Sequence, residues 1–433
     1  MHLKLGSIHT IVVSSPEIAK QILQKHDKIF SGRAVPHAAE AMDHDKASVA
    51  WLPTQIKWRK LRKICKEQMF AMHKLEASEG LRQEKLKQLR DYLHERCTSK
   101  RVVNIGEVAF VTSLNLMSAT LFSLDFARFD SNSAHEMKEI FQELMKILGT
   151  PNLADYFPVL KLIDPQGLKR GTKVYFGKLF AMFDEIISER LQSRSISSDS
   201  TRKNDLLEVL LDINQQSDSD LSLNDIKHLI LLLRLNRYGA DTTTDSVQWA
   251  MTELLRNPNK MLKAKHELRT IIGENKQVEE SDISRLPYLH AVIKETFRYH
   301  PAGPFLIPHK AEDNVEINGY MVPKNAQIFV NVWAIGRDSN IWSNPDSFEP
   351  ERFLDSKIDY TGQDFELINF GSGRRICPGL PLAHVMVHLM VATLIHNFEW
   401  KLEPGMKPEE IDVNEMFGLS LHKAVPLRAF PTK

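Results

Sequence analysis

Cys377 closes the stretch Phe370-Gly371-Ser372-Gly373-Arg374-Arg375-Ile376-Cys377-Pro378-Gly379. Its glycines at 371, 373 and 379 predict a tight turn, with close backbone approach and positive φ angles. Pro378 and Gly379 lead into an apolar segment, Leu380 to Leu394, that reads as a helix. The sulfur is therefore expected beside a helix N-terminus, where backbone N–H groups favour a thiolate. Arg374 and Arg375 add positive charge. An ordinary cysteine in a helix–turn connection would simply be buried; one in these surroundings is a ligand or a nucleophile. A cysteine hydrolase finds no support, because no histidine or acid is spaced in a recognisable dyad motif.

Other residues could do chemistry with it. The longest helix candidate, Leu221 to Met251, carries Gly239-Ala240-Asp241-Thr242-Thr243 in its middle. A mid-helix glycine costs roughly 1 kcal/mol against alanine. Its use there implies close approach of a ligand or a local opening of the helix. Asp241 and Thr242 put an acid and a hydroxyl at that point. Ser222 and Asp225 make a capping box at the start. Gln55 to Met72 reads as an amphipathic helix in which Trp58 and Arg62, four apart, share a side, while Lys57, Arg59, Lys60, Lys63 and Lys66 lie mostly elsewhere. Glu295 and Arg298 stand three apart on a helix, Pro287 to Tyr299. Such pairs are usually exposed and contribute a few tenths of a kcal/mol, on the order of 0.3.

Phe370, Gly373, Arg375, Cys377 and Gly379 fill every fixed position of F-x-x-G-x-R-x-C-x-G. The string resembles the haem-ligand loop of the cytochrome P450 superfamily, and the likeness extends over essentially the whole chain. It implies that Cys377 is the axial ligand of a haem b iron, with Phe370, Arg375 and Gly379 helping to hold the cofactor. Trp58 and Arg62 resemble the family's W-x-x-x-R pair, which bonds a haem propionate. His309 stands where a basic residue meets a propionate; a lone histidine would otherwise be a polar surface group. Asp241 and Thr242 resemble the family's A-G-x-D-T-T stretch, implying proton delivery. Here Tyr238 replaces its small Ala, and Arg234, Leu235, Asn236 and Arg237 replace an apolar run. Glu295, Arg298 and Arg352 (the last from Pro350-Glu351-Arg352-Phe353) resemble a buried charge trio that braces the fold. Tyr238, Gly239, Pro304, Phe305, Leu306, Gly418 and Leu419 are the implied substrate-pocket residues.

The implied reaction inserts one atom of dioxygen into a small apolar substrate. Electrons come from an NADPH-dependent cytochrome P450 reductase docking on the basic face of the Gln55–Met72 helix. The implied fold is mainly α with a small β region, and the protein a monomer. The rival is a haem-binding protein with little turnover, its central helix altered by the polar residues at 234–238. Phe365–Phe370 and Pro378–Ala383 look like the plant enzymes. Asp43–Lys46, Asn152–Pro158 and Ile163–Gly167 resemble the group containing geraniol hydroxylases and ferruginol synthase, so the expected substrate is a monoterpene or an abietane-type diterpene.

Composition agrees with a large globular chain: 433 residues, 42% hydrophobic and 26% charged. Length alone suggests about three domains, but no Gly/Ser- or Pro-rich linker divides residues 1–433, so one catalytic domain is expected. A net charge of +1 argues against a general nucleic-acid binder. Three cysteines are too few and too scattered for a disulfide framework or zinc cluster. No run of 18 apolar residues occurs. The chain opens on strand-like His2–Val13 with no charged-then-apolar leader. Eukaryotic family members begin with a membrane anchor, so this chain reads as shortened there, and the endoplasmic reticulum membrane, cytoplasmic face, is the location the resemblance implies. Helical spacing marks segments near 79–97, 105–123, 133–148, 171–192 and 203–216. Residues 31–55 lack a period, and the family places a mobile loop there. Thr150–Gln166 reads as turns and Ser193–Asn204 as an exposed loop. Val315–Pro323 and Gln327–Val332 alternate like strands, and Phe417–Ser420 reads as a turn.

Overall fold

The computed structural model describes residues 1–433 except 197–202, 204, 217–219, 236–240 and 275. The side chains of 132–134, 233–235 and 241 also lie outside the described residues. Helices dominate. The long ones are α1 (Ile56–Gln68), α2 (Glu79–Ser99), α3 (Ile105–Phe122), α4 (Asn132–Gly149), α5 (Leu168–Ile196), α6 (Leu206–Gln215), α7 (Leu223–Leu235), α8 (Asp241–Arg256), α9 (Pro258–Ile272), α10 (Pro287–Tyr299) and α11 (Leu380–Asn397).

Local chemistry sets the ends. The Asn104 side chain accepts from Glu107 N at the start of α3, and Asp205 from Glu208 N at the start of α6. Ser222 and Asp225 form the expected box before α7, the Asp225 N–H reaching Ser222 Oγ at 3.1 Å and the Ser222 N–H reaching Asp225 Oδ2 at 3.2 Å. Pro258 and Pro287 open α9 and α10, where a missing N–H costs nothing. α1 stops at Gln68, short of the expected Met72, because Met69 leaves helical geometry at φ −122° and turns into the core with Phe70. The expected single helix over 221–251 is described as α7 and α8, with 236–240 outside the described residues; the longest continuous helix is α5. Thr150–Gln166 is not all turn, since it holds a short helix, Leu153–Tyr156, and a 3-10 segment, Pro158–Leu162.

α3 is buried along its whole length except at Glu107 and Thr120. α8 packs against α3, α10 and α11. One hydrophobic core joins α2, α3, α8, α9, α10 and α11; a second joins α1, α3, α4, α5, α6 and α7. α3 and α11 match a bilayer crossing in length and composition, yet both lie within these cores.

The largest sheet runs in the order His2–Leu5, Ile8–Val13, Gln327–Val330, His309–Lys310, Gly32–Arg33. Ile8–Val13 is parallel to Gln327–Val330 and the other pairs are antiparallel. Its last register sets Arg33 opposite His309. Where alternation predicts strands over Val315–Pro323 and Gln327–Val332, the first stretch folds on itself as a separate hairpin, Val315–Ile317 with Tyr320–Val322, and Gln327–Val330 joins the larger sheet.

The frame behind these elements is charged. Arg298 donates to both Glu295 oxygens at 2.7 and 2.8 Å, and Arg352 Nε reaches the same carboxylate at 3.2 Å. Both members of the Glu295–Arg298 pair are fully buried. Each remaining group is satisfied: the Glu349 N–H donates to Glu295 at 2.6 Å, and Arg298 also bonds the carbonyls of Gly336, Pro345 and Ser347. A buried charge trio persists only when hydrogen-bonded this fully.

Residues 31–55 fold as short turns, 3-10 segments and a one-turn helix, His44–Ala47, tied to the helices behind. His44 Nδ1 lies 2.9 Å from His228 Nδ1 on α7, and its ring packs on Phe176 of α5. Burial pushes His44 down to about 3 and His228 down to about 4. Both rings are therefore neutral in the folded chain.

Glu295→Ala is expected to cost about 3–5 kcal/mol, because the fully buried Arg298 guanidinium loses its counter-ion; a variant melting with the parent would remove the trio from the frame. The histidine pair makes stability depend on pH. Unfolded histidine protonates near 6.5, so below that the unfolded chain binds protons that the folded chain refuses. Stability is intact above about 6.5 and falls as pH drops towards about 4. Thermal unfolding at pH 7 and pH 5 measures the slope, and a His44→Gln/His228→Gln double variant should show a shallower one.

Candidate functional site

The Cys377 loop is built as a tight return. The Cys377 N–H donates to Phe370 O at 2.9 Å and the Ile376 N–H to Gly373 O at 3.1 Å. Gly373 sits at φ +64°, and a Cβ there would stand 2.1 Å from Leu23 O. Gly371 is also left-handed at φ +68°, but Gly379, expected to need the same freedom, sits at φ −84° as the cap of α11. Any residue can adopt that angle, so the turn geometry accounts for two of the three glycines.

The sulfur is buried, and burial pushes the Cys377 thiol above its ordinary range. Opposing this are the backbone N–H groups of Gly379 and Leu380, directed at the sulfur, and the charge of Arg62. Donors aimed at a sulfur that burial keeps protonated are what a metal-bound thiolate requires, since a coordinated cation deprotonates the thiol outright. Arg374, the other expected source of positive charge, faces away. It holds Asp27 through two 3.0 Å bonds and lowers that carboxyl below its usual range.

A cleft opens between α8, α11 and the loop. Thr242, Thr243 and Ser246 line it from α8, Ala383 and Val387 from α11, and Phe370, Gly371 and Arg375 from the loop. Arg33 and His309 close one end, side by side through their strand register. A smaller neighbouring cleft shares Arg33 and Arg375 and adds Trp58 and Arg62. No Asp or Glu lines either cleft among the described residues.

The basic groups are aimed by backbone carbonyls. Arg375 donates to Ser31 O, Val49 O and Leu52 O, and its guanidinium lies 4.9 Å from the Trp58 ring. Trp58 Nε1 donates to Val49 O at 3.0 Å, and Arg62 donates to Ile376 O within the cysteine loop. Arg33 reaches Ile307 O at 2.5 Å. His309 is buried, not superficial: its Nδ1 donates to Phe30 O at 2.7 Å, and burial followed by the charges of Arg33 and Arg375 holds the ring well below the usual histidine range. Three guanidiniums and a histidine, with no lining carboxylate, fit a planar ligand whose two acid groups enter at that end. The residues present therefore suit haem.

The structure brings most of the expected residues together. Trp58, Arg62, His309, Phe370, Arg375 and Thr242 line the two clefts; Cys377 and Gly379 do not, but Pro378 between them lines the second. Phe370 also packs edge-on against Phe297 at 5.5 Å, so it supports the loop. Pro304, Phe305, Leu306, Gly418 and Leu419 line a third cleft together with Trp51 and Phe417, and Leu306 is common to it and the first. Tyr238 and Gly239, with Asn236 and Arg237, lie outside the described residues, as does the side chain of Asp241. Glu295, Arg298 and Arg352 line none of these clefts.

Arg33, Trp51, Thr243 and Ser246 were not anticipated. Arg33 lies in a two-residue strand with no period, and only its pairing with His309 exposes it. The basic face of α1 is also weaker than its sequence suggests. Lys57 pairs with Asp225 at 2.6 Å, Lys60 with Asp220, and Lys63 lies 3.9 Å from Glu67.

Comparison with known proteins agrees with this geometry. The family model described as "Cytochrome P450" matches residues 1–426. The chain is 57% identical over 433 residues to cytochrome P450 76T24 of Catharanthus roseus, covering all of this chain and 86% of that protein. It is 51% identical over 431 residues to ferruginol synthase of Salvia miltiorrhiza, covering all of this chain and 87% of the relative. Carnosic acid synthase of Rosmarinus officinalis is 49% identical over 439 residues, with 100% and 86% covered. With a match across almost its full length and a buried cysteine loop under a basic-ended cleft, the chain belongs to the cytochrome P450 family.

Proposed function

We propose that this haem-thiolate monooxygenase hydroxylates a terpenoid, an abietane-type diterpene or a monoterpene, with Cys377 as the residue that would hold the haem iron. The observation that carries the reading is the Cys377 sulfur, buried under backbone donors in a loop whose residues line clefts that also hold Arg33, Arg62 and Arg375 and, among the described residues, no acid. Ferruginol synthase and carnosic acid synthase among the relatives support the substrate class.

When bound, haem supplies the oxidising chemistry that splits dioxygen. The chain does the rest. Cys377 holds the iron, and the Gly379 and Leu380 N–H groups bear part of the sulfur's charge. Arg33, Arg62, His309 and Arg375 receive the two acid groups, with Trp58 packed against Arg375. Phe370 braces the loop, and Glu295, Arg298 and Arg352 brace the frame behind it. Thr242, which lines the cleft, and Asp241, its neighbour in sequence, carry protons inward as a general acid. Phe305, Leu306, Leu419 and Trp51, with Tyr238 and Gly239 from the central segment, exclude water and hold the hydrocarbon skeleton. Burying such a skeleton contributes about 25 cal/mol per Å².

Electrons come from an NADPH-dependent cytochrome P450 reductase at the cytoplasmic face of the endoplasmic reticulum, the protein working as a monomer in one domain. Because three lysines of α1 already meet carboxylates, Arg59 and Lys66 are the cations of that face left to weigh in docking.

Incubation of the haem-loaded protein with reductase, NADPH and a terpene panel should give products one oxygen atom heavier; a loaded protein that oxidises none overturns the substrate class. Cys377→Ala should lose the thiolate-type carbon monoxide spectrum, and an unchanged spectrum would refute the ligand. Thr242→Ala should keep its haem while diverting reducing equivalents to peroxide. Fully coupled product formation in that variant would remove Thr242 from proton delivery.

A further inference from the structure

The clefts take Thr242, Thr243 and Ser246 of α8; the adjoining flank of the helix carries a second set of groups. Asp245, Trp249 and Glu253 recur every four residues, so they form one stripe along the helix. All three are buried. The stripe docks the C-terminal hairpin, in which Glu415–Met416 pairs with His422–Lys423. The Asp245 carboxylate oxygens lie 3.0 and 2.9 Å from His422 Nδ1, so that nitrogen carries the proton. Lys423 Nζ lies 5.2 Å from the Trp249 ring, which stacks on His300 at 3.8 Å and 5°. His300 then bridges the two elements, its Nε2 2.9 Å from Glu253 and its Nδ1 3.2 Å from Glu415.

The turn between those strands runs from Phe417 to Leu421, and its Phe417, Gly418 and Leu419 line the third cleft. Two-residue strands hold no geometry by themselves. The tip is fixed on its outer side by the Leu419 N–H donating to Met145 O and the Leu421 N–H to Ala302 O. On its inner side the strand is fixed by the stripe. Asp245 adjoins Ser246 and is three residues from Thr242, both lining the first cleft. A charge-assisted bond between buried partners is the strongest kind available at such a contact.

We propose that the Asp245–His422 pair is a clasp that sets substrate specificity from outside the cleft, by holding the Phe417–Leu419 tip at a fixed station against the helix carrying Thr242. The proposal rests on the reading of these clefts as the substrate site. Asp245 and His422 are positioning residues; neither lines the clefts.

Two variants separate the clasp from general destabilisation. Asp245→Ser removes the carboxylate, while Asp245→Asn keeps an oxygen for His422 Nδ1–H. In the haem-loaded chain, amide exchange across 417–423 should quicken about tenfold in Asp245→Ser and stay near the parent in Asp245→Asn. With reductase and terpenoids, Asp245→Ser should change the ratio of oxidation products from one substrate. It should also raise KM more for bulkier skeletons than for small ones, and Asp245→Asn should restore both. If Asp245→Ser does not retain haem, His422→Phe gives the same two readouts from the hairpin side. Unchanged exchange overturns the clasp, as does faster exchange with an unchanged product ratio. Exchange is read without substrate, so a parent protein that oxidises no terpenoid counts against the proposed function and leaves exchange to decide the clasp.

Discussion

Burial and hydrogen bonding act on the Cys377 sulfur in opposite senses, and the rest of the fold is arranged around that opposition. Removed from water, a thiol holds its proton; two N–H donors and a nearby guanidinium favour losing it. Burial prevails until a cation arrives. This makes the loop selective for a metal-centred cofactor over reaction as a free nucleophile. It also explains why the loop must be rigid, since the donors work only at hydrogen-bond distance from one atom. Gly373, pressed against Leu23 O, and Phe370, pressed against Phe297, supply that rigidity from opposite sides.

The same logic runs through the basic end of the clefts. Arg33, Arg62 and Arg375 donate to backbone carbonyls, which orient them along the cleft walls. The arginines of the frame are held by carboxylates instead. Arg298 and Arg352 share Glu295, and Glu349 lies 3.5 Å from Arg352. Arginine thus plays two roles in one chain, oriented by carbonyls at the clefts and by Glu295 in the frame.

What could be read in advance follows from how each signal is encoded. The cysteine loop is contiguous, so most of its geometry is written in ten residues; the departures are Gly379, which needs no left-handed angle, and Arg374, which turns to Asp27. The long helices carried caps and periodic apolar faces, and α2, α3, α4 and α6 lie where spacing put them. Arg33 was hidden because its meaning depends on a strand partner far along the chain. The weakened basic face of α1 was hidden for a related reason: Asp220 and Asp225 neutralise it from a different part of the sequence. Periodicity reports on the face a residue occupies, and it is silent on who stands opposite.

The pairing of Arg33 with His309 has a consequence for assembly. One strand comes from the first tenth of the chain and the other from its last third. The pocket's charged rim therefore does not exist on a partly synthesised polypeptide, whatever helices have already formed. Closing so large a loop is slow, and the reward arrives only when both ends are in hand. The prosthetic group then serves as a late staple, fastening the beginning of the polypeptide to its end.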